Sequence, residues 1–199
     1  MTAAILLCVA AYLGGSIPTG ILVARARGVD LRKVGSGNIG ATNVGRALGR
    51  GWAIAVLLGD ALKGFAPVFV GRVLLLPRLR GLSPWVVAMA GLGAITGHMF
   101  TIFLRGRGGK GVATSLGVAL AISPLAALCG FGLYILAYVT TRISSIGSLL
   151  GVWSFPLFAT LLGGVPRAYL ALSIGTAALV TIRHRANLQR LWRGEEKRA

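Results

Sequence analysis

Two glycine-rich polar stretches carry residue types that bind anions. The first runs Gly35-Ser36-Gly37-Asn38-Ile39-Gly40-Ala41-Thr42-Asn43 and reaches Arg46; the second runs Arg105-Gly106-Arg107-Gly108-Gly109-Lys110-Gly111. Backbone N–H groups of such a loop can converge on an anion, and the planar fork of Arg46 matches phosphate. In the second stretch the glycines permit close backbone approach and Lys110 supplies a point charge. The helix expected from Val112 adds unpaired N–H groups and the positive end of its dipole. Neither stretch is a nucleotide fingerprint. Gly35, Gly37 and Gly40 satisfy G-x-G-x-x-G, but no strand and no βαβ pattern surrounds them. Leu104 and Gly111 stand where a Walker A loop needs glycine and Ser or Thr.

Further polar groups lie at Arg142-Ile143-Ser144-Ser145 and Arg183-His184-Arg185-Ala186-Asn187. His184 and Asn187 are three apart and share a helical face; the serines suit a helix start as well as a ligand. His98 reads as a packing or hydrogen-bonding residue, and Asp60 with Lys63 as a structural ion pair near the membrane interface. The only acids are Asp30, Asp60, Glu195 and Glu196. That scarcity argues against paired-carboxylate chemistry and carboxylate-rich metal sites. Cys8 and Cys129 lie in apolar runs without metal-like spacing and read as small hydrophobes. Neither a metal nor a cofactor is expected.

What must position these groups is a membrane-embedded helical frame. Of 199 residues, 55% are hydrophobic and a further 30 are glycine, whereas only 13% are charged. Soluble domains hold roughly 45–50% apolar residues including glycine. Apolar runs cover Ile5 to Ala24, Trp52 to Leu76, Trp85 to Phe103, Val112 to Ile122, Leu125 to Val139, Ile146 to Leu162 and Ala168 to Ile182. The first has its basic residues after it rather than before it, so it reads as a retained helix and not a signal peptide. Val112 to Ile122 is short enough to be a re-entrant half, and Ser123-Pro124 turns the chain after it. The expectation is an all-α integral membrane protein with seven transmembrane helices, some short or re-entrant, forming one domain over 1–199.

Charge orients that frame. The net charge of +17 would suggest nucleic acid in a soluble protein, but here apolar segments separate the basic clusters, so anionic lipid and phosphate ligands fit and nucleic acid does not. With the N-terminus outside and the C-terminus cytoplasmic, 16 of the 21 Lys and Arg residues fall inside. Four (Arg72, Arg78, Arg80 and Arg167) fall outside, and Lys63 lies within a span. Trp52, Trp85, Tyr138 and Tyr169 fall near span ends, where aromatic rings favour the interface. Leu188, Leu191 and Trp192 form an apolar stripe beside Arg190 and Arg193, as an interfacial helix does. All four polar clusters then face the cytoplasm, where their donors and cations suit a small phosphate-bearing substrate. The competing class, a transporter for a phosphorylated or other anionic metabolite, calls for cations deep in the membrane and paired halves.

At these residues the chain resembles the acyl-phosphate-dependent glycerol-3-phosphate acyltransferases of bacterial phospholipid synthesis. The likeness runs from Gly15-Ser16-Ile17-Pro18-Thr19-Gly20 through Gly35 to Asn43, Gly59-Asp60 with Lys63-Gly64, Gly97-His98, and Gly108 to Thr114, to His184-Arg185-Ala186-Asn187-Leu188. Arg107 keeps the charge where the family more usually has lysine. The resemblance implies an inner-membrane enzyme moving a fatty acyl group from acyl phosphate to glycerol 3-phosphate without metal or cofactor. It implies Ser36, Arg46, Lys110, Ser144, Ser145, His184 and Asn187 as catalytic-site residues. Asn38, Asn43, Gly108, Gly109 and Gly111 are implied to shape the substrate pocket. No Ser-His-Asp arrangement is evident, so direct transfer without an acyl-enzyme is expected, with His184 or a substrate phosphate as the base.

Overall fold

Proline and glycine set the helix limits. A computed structural model describes residues 1–79 and 82–198; Arg80, counted above among the outer cations, lies outside the described residues. Among the described residues all regular structure is helical, in two compact units, Met1–Val118 and Ala119–Ala199.

In the first unit the expected single N-terminal helix is broken into α1 (Thr2–Ser16) and α2 (Thr19–Ala26). Pro18 has no N–H to continue the ladder and disfavours helical geometry at Ile17, whose ψ is 117°. The break leaves carbonyls at the end of α1 in need of donors. Thr101 Oγ1 donates to the Ser16 carbonyl, and Lys63 Nζ donates to that of Ile17 at 2.7 Å. The first glycine stretch is a loop only as far as Gly40; α3 (Ala41–Leu48) follows and carries Arg46 in its last turn. The next helix, α4 (Arg50–Phe69), contains Pro67 and continues as a π-helical turn over Val70–Leu75, as an interrupted hydrogen-bond ladder allows. Then come α5 (Pro84–Met99), a 3-10 turn at Ile102–Leu104, and α6 (Val112–Ile122), which matches the expected short run at both ends.

The second unit holds α7 (Pro124–Thr141), α8 (Ser144–Leu161), α9 (Arg167–Arg183) and α10 (Arg185–Trp192). Its antiparallel neighbours pack α7 on α8 and α8 on α9. Trp153 Nε1 donates to Thr181 Oγ1 across the second of these seams at 3.0 Å. Tyr169, in the first turn of α9, is buried.

Five helical segments among the described residues are long and apolar enough to cross a membrane: Thr2–Ala26, Arg50–Leu75, Pro84–Leu104, Pro124–Thr141 and Ser144–Leu161. Against the expected seven, α6 has 11 residues and α9 has 17. Packing is inverted relative to a soluble protein. Ile54, Leu58 and Leu62 of α4 point outward, while small residues fill the helix seams. A Cβ at Gly97 would overlap the Tyr12 carbonyl between α5 and α1, and one at Gly117 would overlap the Ala61 carbonyl between α6 and α4. Lipid tails are as apolar as leucine, so helices in a bilayer gain from close backbone approach rather than from burying large side chains.

Candidate active site

The first loop is organised from within by Asn43, which is 1% exposed. Its amide nitrogen donates to the Leu31 and Val34 carbonyls at 3.2 and 3.0 Å, and its oxygen accepts the Ser36 N–H at 2.9 Å. Asn43 therefore shapes the loop. Left-handed backbone at Gly35 and Gly37 lets the chain turn tightly over it, at φ 58° and 66°. A side chain on Gly35 would overlap the Asn43 amide oxygen and crowd the stem of Arg46. Asn38 closes the turn, its N–H lying 3.4 Å from Ser36 Oγ.

The second loop rests on α5. Gly108 and Gly109 donate their N–H groups to the carbonyls of Met99 and His98 at 3.1 and 3.0 Å. A Cβ on Gly109 would collide with Nε2 of the His98 ring. That ring joins a buried knot: Lys63 Nζ lies 2.6 Å from Asp60 Oδ1 and 3.3 Å from His98 Nδ1. The Asp60–Lys63 pair anticipated from spacing is thus also the underside of the glycine–lysine loop. Lys110 leads into α6 through Gly111, whose φ of 83° suits glycine. The Gly111 carbonyl accepts from both the N–H and the hydroxyl of Ser115 in the first turn of α6.

Arg32 draws the two loops together. Its guanidinium donates to the carbonyls of Gly37 and Arg107. Sequence reading counted Arg32 only as a topogenic charge. Its position four residues before Ser36 was the available signal, shared with the adjacent Lys33.

The second unit gathers Ser144, Ser145, His184 and Asn187. His184 ends α9 and begins α10, and its Nδ1 lies 2.8 Å from the Val180 carbonyl. A carbonyl only accepts, so Nδ1 carries the hydrogen and a neutral ring keeps its lone pair on Nε2. Ser144 Oγ is 3.4 Å from Tyr134 Oη. Ser145 and Asn187 are joined by a residue that sequence reading missed, Glu196. Its Oε1 accepts from Ser145 Oγ at 3.0 Å and from Asn187 Nδ2, and its Oε2 lies 2.7 Å from Arg190 Nε.

The tail reaches that position because α10 ends in a Schellman turn. Gly194 adopts φ 71°, the Glu195 N–H donates to the Arg190 carbonyl, and the Gly194 N–H donates to that of Leu191. Burial raises the Glu196 carboxyl, but the hydrogen bonds from Asn187, Arg190 and Ser145, with the charge of Arg190, outweigh it and hold the pKa below the ordinary value. Arg190, read above beside the interfacial stripe, also pairs with Glu196. Trp192, 94% exposed, remains the outward residue of that stripe. Among the described residues no group of three or more His, Cys, Asp or Glu is placed to hold a metal ion.

Residues 5–194 match the family model described as glycerol-3-phosphate acyltransferase. The chain belongs to that family. A glycerol-3-phosphate acyltransferase of Geobacter sulfurreducens is 49% identical, over 98% of this chain and 96% of the relative. One of Thermus thermophilus is 48% identical, over 100% and 96%. Among solved structures, the crystal structure of PlsY (YgiH), an integral membrane glycerol 3-phosphate acyltransferase, in its glycerol 3-phosphate form aligns with a TM-score of 0.91 at 42% identity. That alignment covers 99% of this chain and 96% of the other. The lysophosphatidic acid form gives 0.89 at 40%, covering 98% and 95%.

Proposed function

We propose that this family member transfers a fatty acyl group from acyl phosphate to glycerol 3-phosphate, giving 1-acylglycerol 3-phosphate and phosphate. The observation that carries the reading is the near end-to-end match to the family, with a glycine–lysine loop leading into a helix N-terminus. In the reaction a glycerol hydroxyl oxygen bonds to the acyl carbonyl carbon, the acyl–phosphate C–O bond breaks, and the hydroxyl proton passes to a base. Acyl phosphate is already activated, so alignment and charge stabilisation are the enzyme's main tasks.

Roles follow from donor chemistry. Lys110, Arg46 and Ser36 hold phosphate. Gly108, Gly109 and Gly111 bring backbone close to it, and Asn38 and Asn43 keep the first loop in shape. Ser144, Ser145 and Asn187 align the acceptor, while His184 offers Nε2 to orient a phosphate or to take the proton. A substrate phosphate oxygen is the other available base. The reading takes residues 1–199 as a single acyltransferase domain. It takes seven membrane segments, counting α6 and α9, with these residues at the cytoplasmic face of a bacterial inner membrane, among lipids that receive the product; the charge bias supports this orientation.

Purified protein in lipid or detergent should release phosphate from acyl phosphate only with glycerol 3-phosphate present, in step with acylated product. Full activity with acyl-CoA and none with acyl phosphate would overturn the donor. Solute flux through vesicles without chemistry would restore the transporter reading.

A further inference from the structure

Ser145 stands in the first turn of α8, 4% exposed, with its hydroxyl against the Glu196 carboxylate. A hydroxyl has one hydrogen, and an ionised carboxylate can only accept. Donation therefore runs from Ser145 to Glu196. The carboxylate is locked by its other partners, Asn187 and Arg190, and its side chain is 7% exposed. With its hydrogen engaged, Ser145 presents only lone pairs to anything else it meets. The oxygens of a phosphate dianion are acceptors and make no hydrogen bond to such a group, whereas a glycerol hydroxyl donates to it.

We propose that Glu196 is a positioning residue that fixes Ser145 as a hydrogen-bond acceptor, so that Ser145 receives a hydroxyl hydrogen of glycerol 3-phosphate and takes no part in holding phosphate. The inference rests on the acyl-transfer reading and refines it: of the two serines at the start of α8, Ser145 addresses the glycerol end of the acceptor. Drawing the hydrogen to one side turns an oxygen lone pair toward the acyl carbon, and the proton leaves later to the base. The C-terminal tail thus sets hydrogen-bond polarity within the α8–α10 cluster.

The test compares whole protein in detergent as wild type, Ser145→Ala, Glu196→Gln and Glu196→Gln/Arg190→Met, measuring kcat/KM for glycerol 3-phosphate and inhibition by inorganic phosphate. Ser145→Ala should lower kcat/KM about tenfold, one hydrogen bond's worth, and leave phosphate inhibition unchanged. In Glu196→Gln, Arg190 keeps the amide oxygen, so the amide nitrogen turns to Ser145 and frees its hydrogen. Transfer should fall and phosphate should inhibit more strongly. Removing Arg190 as well lets the amide oxygen turn back to Ser145, so the double variant should recover several-fold over the single one. Phosphate inhibition that weakens in Ser145→Ala in step with transfer would overturn the proposal, as would a double variant no better than Glu196→Gln. Should the Glu196 variants not fold, Ser145→Ala decides alone. Wild type that releases no phosphate with glycerol 3-phosphate is a separate result, which fails the acyl-transfer reading itself.

Discussion

Arg46 and Lys110 are both cations in polar loops, yet their geometry separates them. Arg46 closes α3 with its stem beside Gly35, and its planar fork suits two phosphate oxygens. Lys110 precedes a helix N-terminus as a compact charge. Arg46→Lys keeps the charge and loses the fork, so kcat/KM should fall while the amount inserted in membranes stays constant. Lys110→Ala should lose more, about 10- to 150-fold, as removal of a charge-assisted contact does. Arg105→Lys, at an exposed position with φ 52°, should be nearly silent. Equal losses at all three, measured by steady-state kinetics, would reduce these cations to membrane anchors. The loop residues stand out in the sequence because glycine, lysine and arginine in one short loop suit either an anion or a membrane anchor. Glu196 does not, since its partner Ser145 lies 51 positions away and only the tertiary fold brings them together. An acid in a tail otherwise rich in arginine was the one visible hint.

Between elements, legibility depended on whether the deciding interaction was local. The run Val112–Ile122 and the turn at Ser123-Pro124 were readable to the residue, because proline acts on its own neighbours. The division of α1 from α2 at Pro18 was not read, although the same chemistry operates, because apolar residues continue through it to Ala24. The folded-back tail is held by the carboxylate of Glu196, whose pKa lies below the ordinary carboxylate value. A depressed pKa means that the ionised clamp contributes its full stability above the unfolded value and loses it as pH falls through the folded one. The Tm of wild type in detergent should therefore exceed that of Glu196→Gln at neutral pH, and the gap should close on acidification below the usual carboxylate range. A gap that persists undiminished in acid would show that the clamp does not depend on the carboxylate's charge.

For the whole chain, composition and packing tell one story at two levels. Thirty glycines look like a recipe for flexibility, but at Gly15, Gly64, Gly97 and Gly117 a Cβ would strike the backbone of a neighbouring helix. These glycines are contact points between helices whose large side chains face lipid. Asymmetry in the basic residues then sets which way such a bundle inserts, because cations resist transfer across the membrane. In a background with Cys8 and Cys129 replaced, single cysteines at the exposed positions Ser36, Arg107, Arg142 and Arg185 should react with a membrane-impermeant maleimide only after the cytoplasmic face is opened. A cysteine at Arg78, also exposed, should react in intact cells. The four inner positions lie in different connections, so each tests a different number of preceding crossings. If Arg142 alone labelled from outside, α6 and α7 together would cross the membrane once rather than return to the same side. Labelling of Ser36 and Arg107 from outside would invert the first unit and remove its loops from the cytoplasmic supply of phosphorylated substrate.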